Sequence, residues 1–286
     1  MTHTVLDGKA IAERMKAELL AEVTRFRERP RLAVISFDTP TSQLYLSAQL
    51  NQAKALGIDA DVEGRFPWKT VTQQQVEDAV EGLNRGQVHG VFVHQPMPPQ
   101  IDAQRISALI DPRKDVEGIH PQNMARRFFA KARIGSCTAL AVMRLIEETG
   151  VNLEGKEAVV IGHSEIVGRP VSMLLLDKLA TTTICHAGTA KARRLEVHVQ
   201  RAEILVVAVG QPQLIKGSWI KEGAIVIDVG INVIGGRVVG DVEFDAAKAR
   251  AAYITPVPGG VGPVTVMMVM KNTVEAFKLQ QPGARA

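Results

Sequence analysis

The chain has 286 residues, of which 46% are hydrophobic and 22% charged, a composition typical of a globular protein with room for two modest domains. Its formal charge is only +4 and its basic residues are scattered, so we expect no nucleic-acid partner. Two cysteines, a first segment unlike a secretory signal and no apolar run of membrane-spanning length favour a cytoplasmic protein without a membrane partner.

Hydrophobic periodicity alternates between helical stretches and short β-rich runs along the chain, which predicts an α/β fold with parallel sheets covered by helices. In the first half, helices are predicted at about 8–29, after the turn at 38–42 and at 72–84, with strands at 32–37, near Ile58 and at 88–93. In the second half, helices are predicted at 138–149 and 264–278, with strands at 158–161, 182–185, 204–208, 224–229 and 253–255. The last helix is too apolar for a free tail, so we expect it to pack on the first domain.

A turn with two glycines follows the predicted strand at 158–161. Gly162 permits a sharp turn, Gly168 permits close packing of a helix on the sheet, and amides near Ser164 would point at a diphosphate. The middle glycine of the full dinucleotide-binding motif is replaced by Ser164, so the segment alone also fits an ordinary strand-turn-helix.

Two later strands also end in small residues, at Val209-Gly210 and at Gly230-Ile231. Ligands of open α/β sheets bind at the carboxyl ends of strands, and a glycine lets a flat nicotinamide ring approach the backbone. The predicted cofactor contacts are Gly162, His163, Ser164, Val167, Gly168, Val209, Gly210, Gly230 and Ile231. We predict no metal site.

Three longer motifs carry a family resemblance. They are Gly162-x-Ser164-x-x-Val167-Gly168-x-Pro170, Asp228-Val229-Gly230-Ile231-Asn232 and Pro256-Val257-Pro258-Gly259-Gly260-Val261-Gly262-Pro263-Val264-Thr265. Further matches are Asp7-Gly8-Lys9, Ser42-Gln43-x-Tyr45, Lys114-Asp115-Val116, Gly118, His120-Pro121-x-Asn123 and Gly240-Asp241-Val242. Together they resemble the bifunctional methylenetetrahydrofolate dehydrogenase/methenyltetrahydrofolate cyclohydrolase family, the FolD type, over nearly the whole chain.

The resemblance implies two α/β domains separated by a cleft and assembled as a homodimer. Residues 1–136 plus 264–286 would form the folate-binding catalytic domain, and residues 137–263 a Rossmann-like NAD(P)-binding domain. The family oxidises 5,10-methylenetetrahydrofolate by hydride transfer to NADP, or in some members NAD, and then hydrolyses the methenyl product. Tyr45 would stack on the aminobenzoate of folate. The loop residues Pro258, Gly259, Gly260 and Val261 would close the substrate side.

The hydrolytic half of the resemblance is altered at three positions. The family lysine one helical turn after the tyrosine is here Gln49, the glutamine that follows the strand is His94, and the aspartate that binds the pterin is Glu117. We therefore count Tyr45, Gln49, His94 and Glu117 as the candidate catalytic residues. Hydrolysis needs a positioned acid-base group, which an amide cannot be. Cyclohydrolase activity is therefore lost, or His94 has taken over proton transfer, or the pocket suits a different folate adduct.

The cofactor preference is also altered. Family members that use NADP commonly hold its 2′-phosphate with an arginine in the glycine turn and polar residues after the next strand, where this chain has His163 and the segment 186–189. No acidic residue ends that strand to bind both ribose hydroxyls, as NAD sites require. His163, Lys191, Arg193 and Arg194 can neutralise a phosphate, so NADP is favoured while NAD stays possible.

Two alternatives come from other functional classes. A non-catalytic folate-binding protein would keep binding without chemistry, but the intact motifs on the hydride-transfer side disfavour it. A general Rossmann dehydrogenase for hydroxy acids is disfavoured because the N-terminal half also matches the folate family.

Overall fold

The computed structural model describes residues 3–129 and 132–281. Its strands are β1 (Thr4–Val5), β2 (Arg31–Phe37), β3 (Asp59–Phe66), β4 (Gly90–Val93), β5 (Glu157–Ile161), β6 (Thr181–Cys185), β7 (Ile204–Val207), β8 (Ile225–Asp228), β9 (Asn232–Ile234), β10 (Arg237–Val239) and β11 (Tyr253–Ile254). Its α-helices are α1 (Gly8–Val23), α2 (Pro40–Leu56), α3 (Gln73–Arg85), α4 (Ala103–Leu109), α5 (Pro121–Phe128), α6 (Cys137–Glu147), α7 (Gly168–Asp177), α8 (Ala187–Lys191), α9 (Leu195–Arg201), α10 (Phe244–Lys248) and α11 (Val261–Leu279). The predicted α/β fold with parallel sheets is confirmed.

Contacts divide the described residues into two compact units. The three-stranded unit comprises the described parts of Arg14–Cys137 and Val266–Ala286, and the six-stranded unit those of Met1–Glu13 and Thr138–Thr265. Each unit has its own core.

The three-stranded unit is a parallel sheet in the order β3-β2-β4. Its central strand β2 is buried from residue 32 to residue 37, the pattern of a strand covered on both faces. Helix α3 begins at a capping box in which Thr72 and Gln75 exchange side-chain and backbone hydrogen bonds, which fixes its first turn. From residue 266 onward, α11 packs in this unit, where Asn272 donates to the carbonyls of Val116 and Gly135.

The six-stranded unit is a fully parallel sheet in the order β1-β11-β8-β7-β5-β6. Its buried strands are rich in Val and Ile, which suits a sheet with helices on its faces. The sequence-based division assigned the first residues to the other domain. Contacts instead group residues 3–13 with the six-stranded unit, because β1 pairs with β11 through Thr4 and Tyr253.

Several elements differ from the sequence-based expectations. Helix α1 ends at Val23 rather than near residue 29, and the amides of Arg25 and Phe26 donate to the carbonyls three residues before them, in a turn that closes the helix. The short helices α4, α5, α8, α9 and α10 and the antiparallel hairpin of β9 and β10 had no clear periodic signal. Among the described helices, none is both long and apolar enough to span a membrane.

Candidate active site

Two buried polar side chains meet in the three-stranded unit. Helix α2 places Gln49 one turn after Tyr45, on the same helix face. His94 directly follows β4, and its amide donates to the carbonyl of Ile35 over 2.9 Å. The His94 ring lies 2.8 Å from Gln49, measured between Nε2 and Oε1. The structure therefore joins two of the predicted site residues directly.

The protonation state of this pair follows from its chemistry. An amide oxygen can only accept, so Nε2 of His94 carries the hydrogen and donates it to Gln49, which leaves Nδ1 with the lone pair. Both residues are only 3% exposed, and burial lowers the pKa of His94 to about 4. The pair is therefore uncharged near neutral pH.

Two further side chains lie on the same helix as Gln49. Burial raises the pKa of the Tyr45 hydroxyl, so its phenol stays protonated. Gln52, three residues after Gln49, has a buried Oε1 with no hydrogen-bond partner within residues 3–129 and 132–281. An unpartnered buried oxygen can accept from a ligand donor. Sequence reasoning missed Gln52, although its spacing from Tyr45 and Gln49 places it near their face.

Glu117 lies on the segment that follows β4 and α4, and it is also neutral. Burial, and secondarily the neighbouring Asp115, raise the pKa of Glu117 to about 8. Some surface of the residue remains accessible, but dense packing around the carboxyl removes most of its hydration. Within the described chain, its side chain forms no hydrogen bond to Gln49 or His94. Near neutral pH, Gln49, His94 and Glu117 thus carry no charge.

The neighbouring charged residues have structural roles. The carboxylate of Asp115 accepts from the amides of Gly118 and His120 and from Asn123 Nδ2, at 2.8–3.0 Å. The ammonium of Lys114 donates to three carbonyls at the end of α3, those of Leu83, Asn84 and Gly86. Cations near a helix C-terminus are stabilising. The Lys114 ammonium is therefore bonded within the fold and does not supply the lysine that the family resemblance implies at position 49.

The predicted cofactor turn in the six-stranded unit requires its glycines. Gly162 has φ +117°, and an added Cβ would lie 2.2 Å from the carbonyl oxygen of Ala208. A Cβ on Gly168 would lie 2.1 Å from the carbonyl oxygen of Gly162. Both positions exclude any larger residue.

Ser164 changes which backbone amides of this turn are free to bind a ligand. Its Oγ accepts from the amides of Val167 and Gly168 over 3.1 and 3.4 Å, so these two amides are already bonded where α7 begins. The amides of His163 and Ser164 have no protein acceptor among the described residues. The donors left for a phosphate therefore lie earlier in the turn than the helix itself.

Two buried aspartates hold the other predicted cofactor residues. Asp241 accepts from the amides of Val209 and Gly210 over 2.7 and 2.9 Å, and from Asn232 Nδ2 over 2.9 Å. Asp241 therefore links the loop after β7 to the loop after β8 at the carboxyl edge of the sheet.

Asp228 completes this network from the end of β8. It accepts from the amides of Gly230, Asp241 and Val242 over 2.9–3.0 Å. Burial raises the pKa of Asp228 to about 6 despite these bonds. Ile231, by contrast, is 56% exposed. The sequence predicts Gly230 and Ile231 at a ligand edge but does not reveal that a buried carboxylate accepts from the amide of Gly230.

The glycine-rich segment at 256–261 lies against the first helix. A Cβ on Gly8 would sit 1.8 Å from the carbonyl oxygen of Gly260, so the Asp7-Gly8-Lys9 motif permits close packing of these two segments. Gly259 has φ +104°, while Pro258 is exposed and Val261 begins α11. Among the described residues, no group of three or more His, Cys, Asp or Glu is arranged for a metal ion.

Comparisons with known proteins identify the two halves of the chain. Residues 136–281 match the family model described as tetrahydrofolate dehydrogenase/cyclohydrolase, NAD(P)-binding domain. Residues 6–117 match the catalytic-domain model of the same family.

Curated relatives match along nearly the full length. The chain is 45% identical over 287 residues to the bifunctional protein FolD 2 of Geobacter sulfurreducens, with 99% of each chain covered. It is 42% identical to the bifunctional protein FolD of Caldanaerobacter subterraneus subsp. tengcongensis, with 97% of this chain and 98% of that protein covered.

Solved structures show the same architecture. The bifunctional FolD enzyme of Campylobacter jejuni is 38% identical, with a TM-score of 0.92 over 97% of this chain and 99% of that chain. The Trypanosoma brucei FolD enzyme, solved with NADP and an inhibitor, is 40% identical, with a TM-score of 0.91 over 97% of this chain and 98% of that chain.

Proposed function

This chain belongs to the tetrahydrofolate dehydrogenase/cyclohydrolase family, and we propose that it performs the dehydrogenase step with NADP while its cyclohydrolase step is lost or severely weakened. Family membership makes the protein an NAD(P)-dependent methylenetetrahydrofolate dehydrogenase. The observation that supports the second half of the proposal is the neutral hydrogen-bonded pair of Gln49 and His94.

Hydride transfer in the dehydrogenase step requires mainly that the nicotinamide ring and the folate ring system are aligned. A bound nicotinamide would supply the acceptor for a hydride from the one-carbon unit of the folate. The protein positions it with the backbone of the Gly162 turn and with the loops after β7 and β8 that Asp241 and Asp228 hold. The turn fits a diphosphate because the amides of His163 and Ser164 have no protein acceptor among the described residues. We infer contacts from Val167, Gly168, Val209, Gly210, Gly230 and Ile231.

The folate side is assigned by matched positions. We infer that Tyr45 stacks on the aminobenzoate, that Glu117 contacts the pterin, and that Pro258, Gly259, Gly260 and Val261 close the substrate side. The sequence-based bounds of the folate domain are 1–136 plus 264–286, but contacts group the described residues 3–13 and 264–265 with the six-stranded unit.

The hydrolytic step needs a group that moves protons at the methenyl carbon. Gln49 has no titratable proton. A histidine with a pKa of about 4 is almost entirely unprotonated at neutral pH and is a weak base there. Glu117, with a pKa of about 8, holds its proton. Near pH 7, neither Gln49 nor Glu117 is therefore a base for the attacking water, and His94 is a weak one.

The rival function is a bifunctional enzyme in which His94 transfers the proton. The name shared by the relatives from Geobacter sulfurreducens and Caldanaerobacter subterraneus favours retained bifunctionality. Two observations oppose His94 in that role, since its Nε2 is already bonded to Gln49 and burial depresses its pKa. Only Nδ1 is left to act as a base.

The proposal is tested by mixing the protein with 5,10-methylenetetrahydrofolate and NADP or NAD, and following both reduced nicotinamide and the methenyl product. We expect faster reduction of NADP and persistence of the methenyl compound. Folded protein that binds folate but reduces neither cofactor would instead be the non-catalytic folate-binding alternative.

We also infer a homodimer that works in the cytoplasm. The family resemblance supports the dimer, and the two free, buried cysteines Cys137 and Cys185 fit a reducing compartment. Light scattering at micromolar concentration would reveal a monomer if the assembly is wrong, and cell fractionation would test the location.

A further inference from the structure

Thr255 lies between the end of β8 and the glycine-rich segment at 256–261. It directly follows β11, and its amide donates to the carbonyl of Val226 over 3.1 Å, which continues the pairing of β11 with β8. The Oγ1 of Thr255 accepts from the amide of Asp228 over 2.8 Å. Thr255 is fully buried, so water does not compete for this bond. The hydroxyl therefore ties the start of the glycine-rich segment to the last residue of β8.

The side chain of Thr255 also packs against the glycine-rich segment itself. A Cβ on Gly260 would lie 2.8 Å from the Cβ of Thr255, so the two residues are in close contact and position 260 has no room for a side chain. The carbonyl oxygen of Gly260 is in turn packed against Gly8. Because close-packed interiors transmit displacements, a shift of Gly260 moves Thr255 or breaks their contact.

Asp228 continues this connection from β8 to the predicted cofactor loops. Its Oδ1 accepts from the amides of Gly230 and Asp241 over 2.9 and 3.0 Å. The carboxylate of Asp241 accepts through Oδ2 from the amides of Val209 and Gly210 over 2.7 and 2.9 Å. Both carboxylates are buried. An unbroken series of contacts within the six-stranded unit thus joins the glycine-rich segment to the loops after β7 and β8.

We propose that Thr255 is a positioning residue through which folate and NADP strengthen each other's binding. This inference rests on the proposed function, in which the glycine-rich segment contacts folate and the loops after β7 and β8 contact the nicotinamide. A ligand that holds one end of the series also restricts the other end, so the first ligand bears most of the loss of conformational entropy. The second ligand then meets loops that are already ordered and binds more tightly. The effect is reciprocal, because each ligand must change the affinity of the other by the same factor.

Fluorescence titration of the protein with NADPH, with and without saturating tetrahydrofolate, measures this coupling. Tetrahydrofolate carries no one-carbon unit, so no hydride transfer occurs during the titration. We expect tetrahydrofolate to tighten NADPH binding at least about fivefold in the wild type, which is the lower end of couplings between ligand sites. NADPH affinity that does not change with tetrahydrofolate would overturn the inference.

Three variants separate positioning from a general effect on stability. Thr255→Val keeps the shape of the side chain but cannot accept from the Asp228 amide, so the ratio of the two NADPH affinities should fall close to unity. Thr255→Ser keeps the hydroxyl and should restore the wild-type ratio. Thr182→Val removes a hydroxyl of the same unit that donates to the carbonyl of Ala180, and should behave as the wild type. A general loss of stability would weaken NADPH binding under both conditions and leave the ratio unchanged. The wild-type ratio in folded Thr255→Val would overturn the inference.

Amide hydrogen exchange provides the test if Thr255→Val does not fold. In the wild type, tetrahydrofolate alone should slow the exchange of the Val209 and Gly210 amides, which lie at the far end of the series. Unchanged exchange of these amides would overturn the inference while leaving the proposed function intact. If folded wild-type protein binds neither NADPH nor tetrahydrofolate, the proposed function itself fails.

Discussion

His94 donates from Nε2 to the side-chain oxygen of Gln49 over 2.8 Å, in a position where both residues are almost completely buried. This bond fixes the tautomer of the histidine and occupies the nitrogen that lies beside the amide. The position where the family resemblance implies a lysine is therefore filled by one member of an uncharged pair. The methenyl substrate is cationic, so the change affects both proton transfer and the local field.

Gln49→Lys should create measurable hydrolysis of the methenyl compound. The lysine ammonium would replace the Gln49 amide beside His94. The His94 ring can change tautomer, so that Nε2 accepts a hydrogen bond from the ammonium. General acid-base groups contribute about 10²- to 10⁴-fold to rates, and we expect only about tenfold because His94 and Glu117 also differ from the family. The readout is enzyme-dependent decay of methenyl absorbance. Gln49→Met is the matched control, because it fills a similar volume and has no proton to transfer. Equal rates for the two variants would contradict this prediction.

His94→Ala should lower stability but not create or remove hydrolysis. Truncation leaves Gln49 Oε1 without its donor and opens a cavity, at a cost of about 2–4 kcal/mol. Urea denaturation measures this loss, and dehydrogenase rates below the transition show whether the site survives. If the wild type hydrolyses the methenyl compound with an imidazole-like pH profile and His94→Ala abolishes it, His94 is the acid-base group.

The sequence predicted the alternation of strands and helices because buried runs such as 32–37 and 158–161 are strongly apolar. It could not predict β1, which has only two residues and exists through pairing with β11. Such short elements form through tertiary contacts rather than local propensity.

The candidate site was predictable to a similar degree. The family resemblance predicted Gln49 and His94 in one constellation, but their direct hydrogen bond joins residues 45 positions apart and depends on how α2 packs on the sheet. The roles of Asp228 and Asp241 were hidden for the same reason. Their partners include amides up to 32 residues away, and a backbone amide leaves no mark in a sequence.

The free energy of unfolding of the wild type should fall as pH rises from about 6.5 to about 8. Glu117→Gln should remove this fall. The folded protein holds the Glu117 proton up to a pKa of about 8, whereas the unfolded chain releases it near the ordinary value of 4.5. The folded state therefore binds more protons in this range, and stability falls as pH rises. His94 has the opposite effect, but only below its ordinary pKa of 6.5.

Denaturation midpoints in urea, measured across this pH range, provide the comparison. The wild-type midpoint should decrease more steeply than that of Glu117→Gln. Parallel curves for the two proteins would show that the pKa of Glu117 is not raised.

Asp241→Ala should impair cofactor binding through the loop after β7. Removing the carboxylate leaves the amides of Val209 and Gly210 and the side chain of Asn232 without their acceptor, which should cost about 2–4 kcal/mol of stability. NADPH affinity should fall at a temperature where the variant is still folded. Glu243→Ala removes a carboxylate in the same unit that pairs with Lys216 near the surface, and serves as the control. Unchanged NADPH affinity in folded Asp241→Ala would show that the loop is held by other contacts.

The balance between NADPH formed and methenyl compound retained in one reaction tests the central claim most directly. The protein is given 5,10-methylenetetrahydrofolate and NADP in a buffer where spontaneous hydrolysis is slow, and both products are followed together at several enzyme concentrations. If Gln49 and His94 cannot support hydrolysis, one methenyl molecule persists for each NADPH, and its decay equals the buffer rate at every enzyme concentration. A deficit of the methenyl compound that grows with enzyme concentration would contradict the account and establish a bifunctional enzyme.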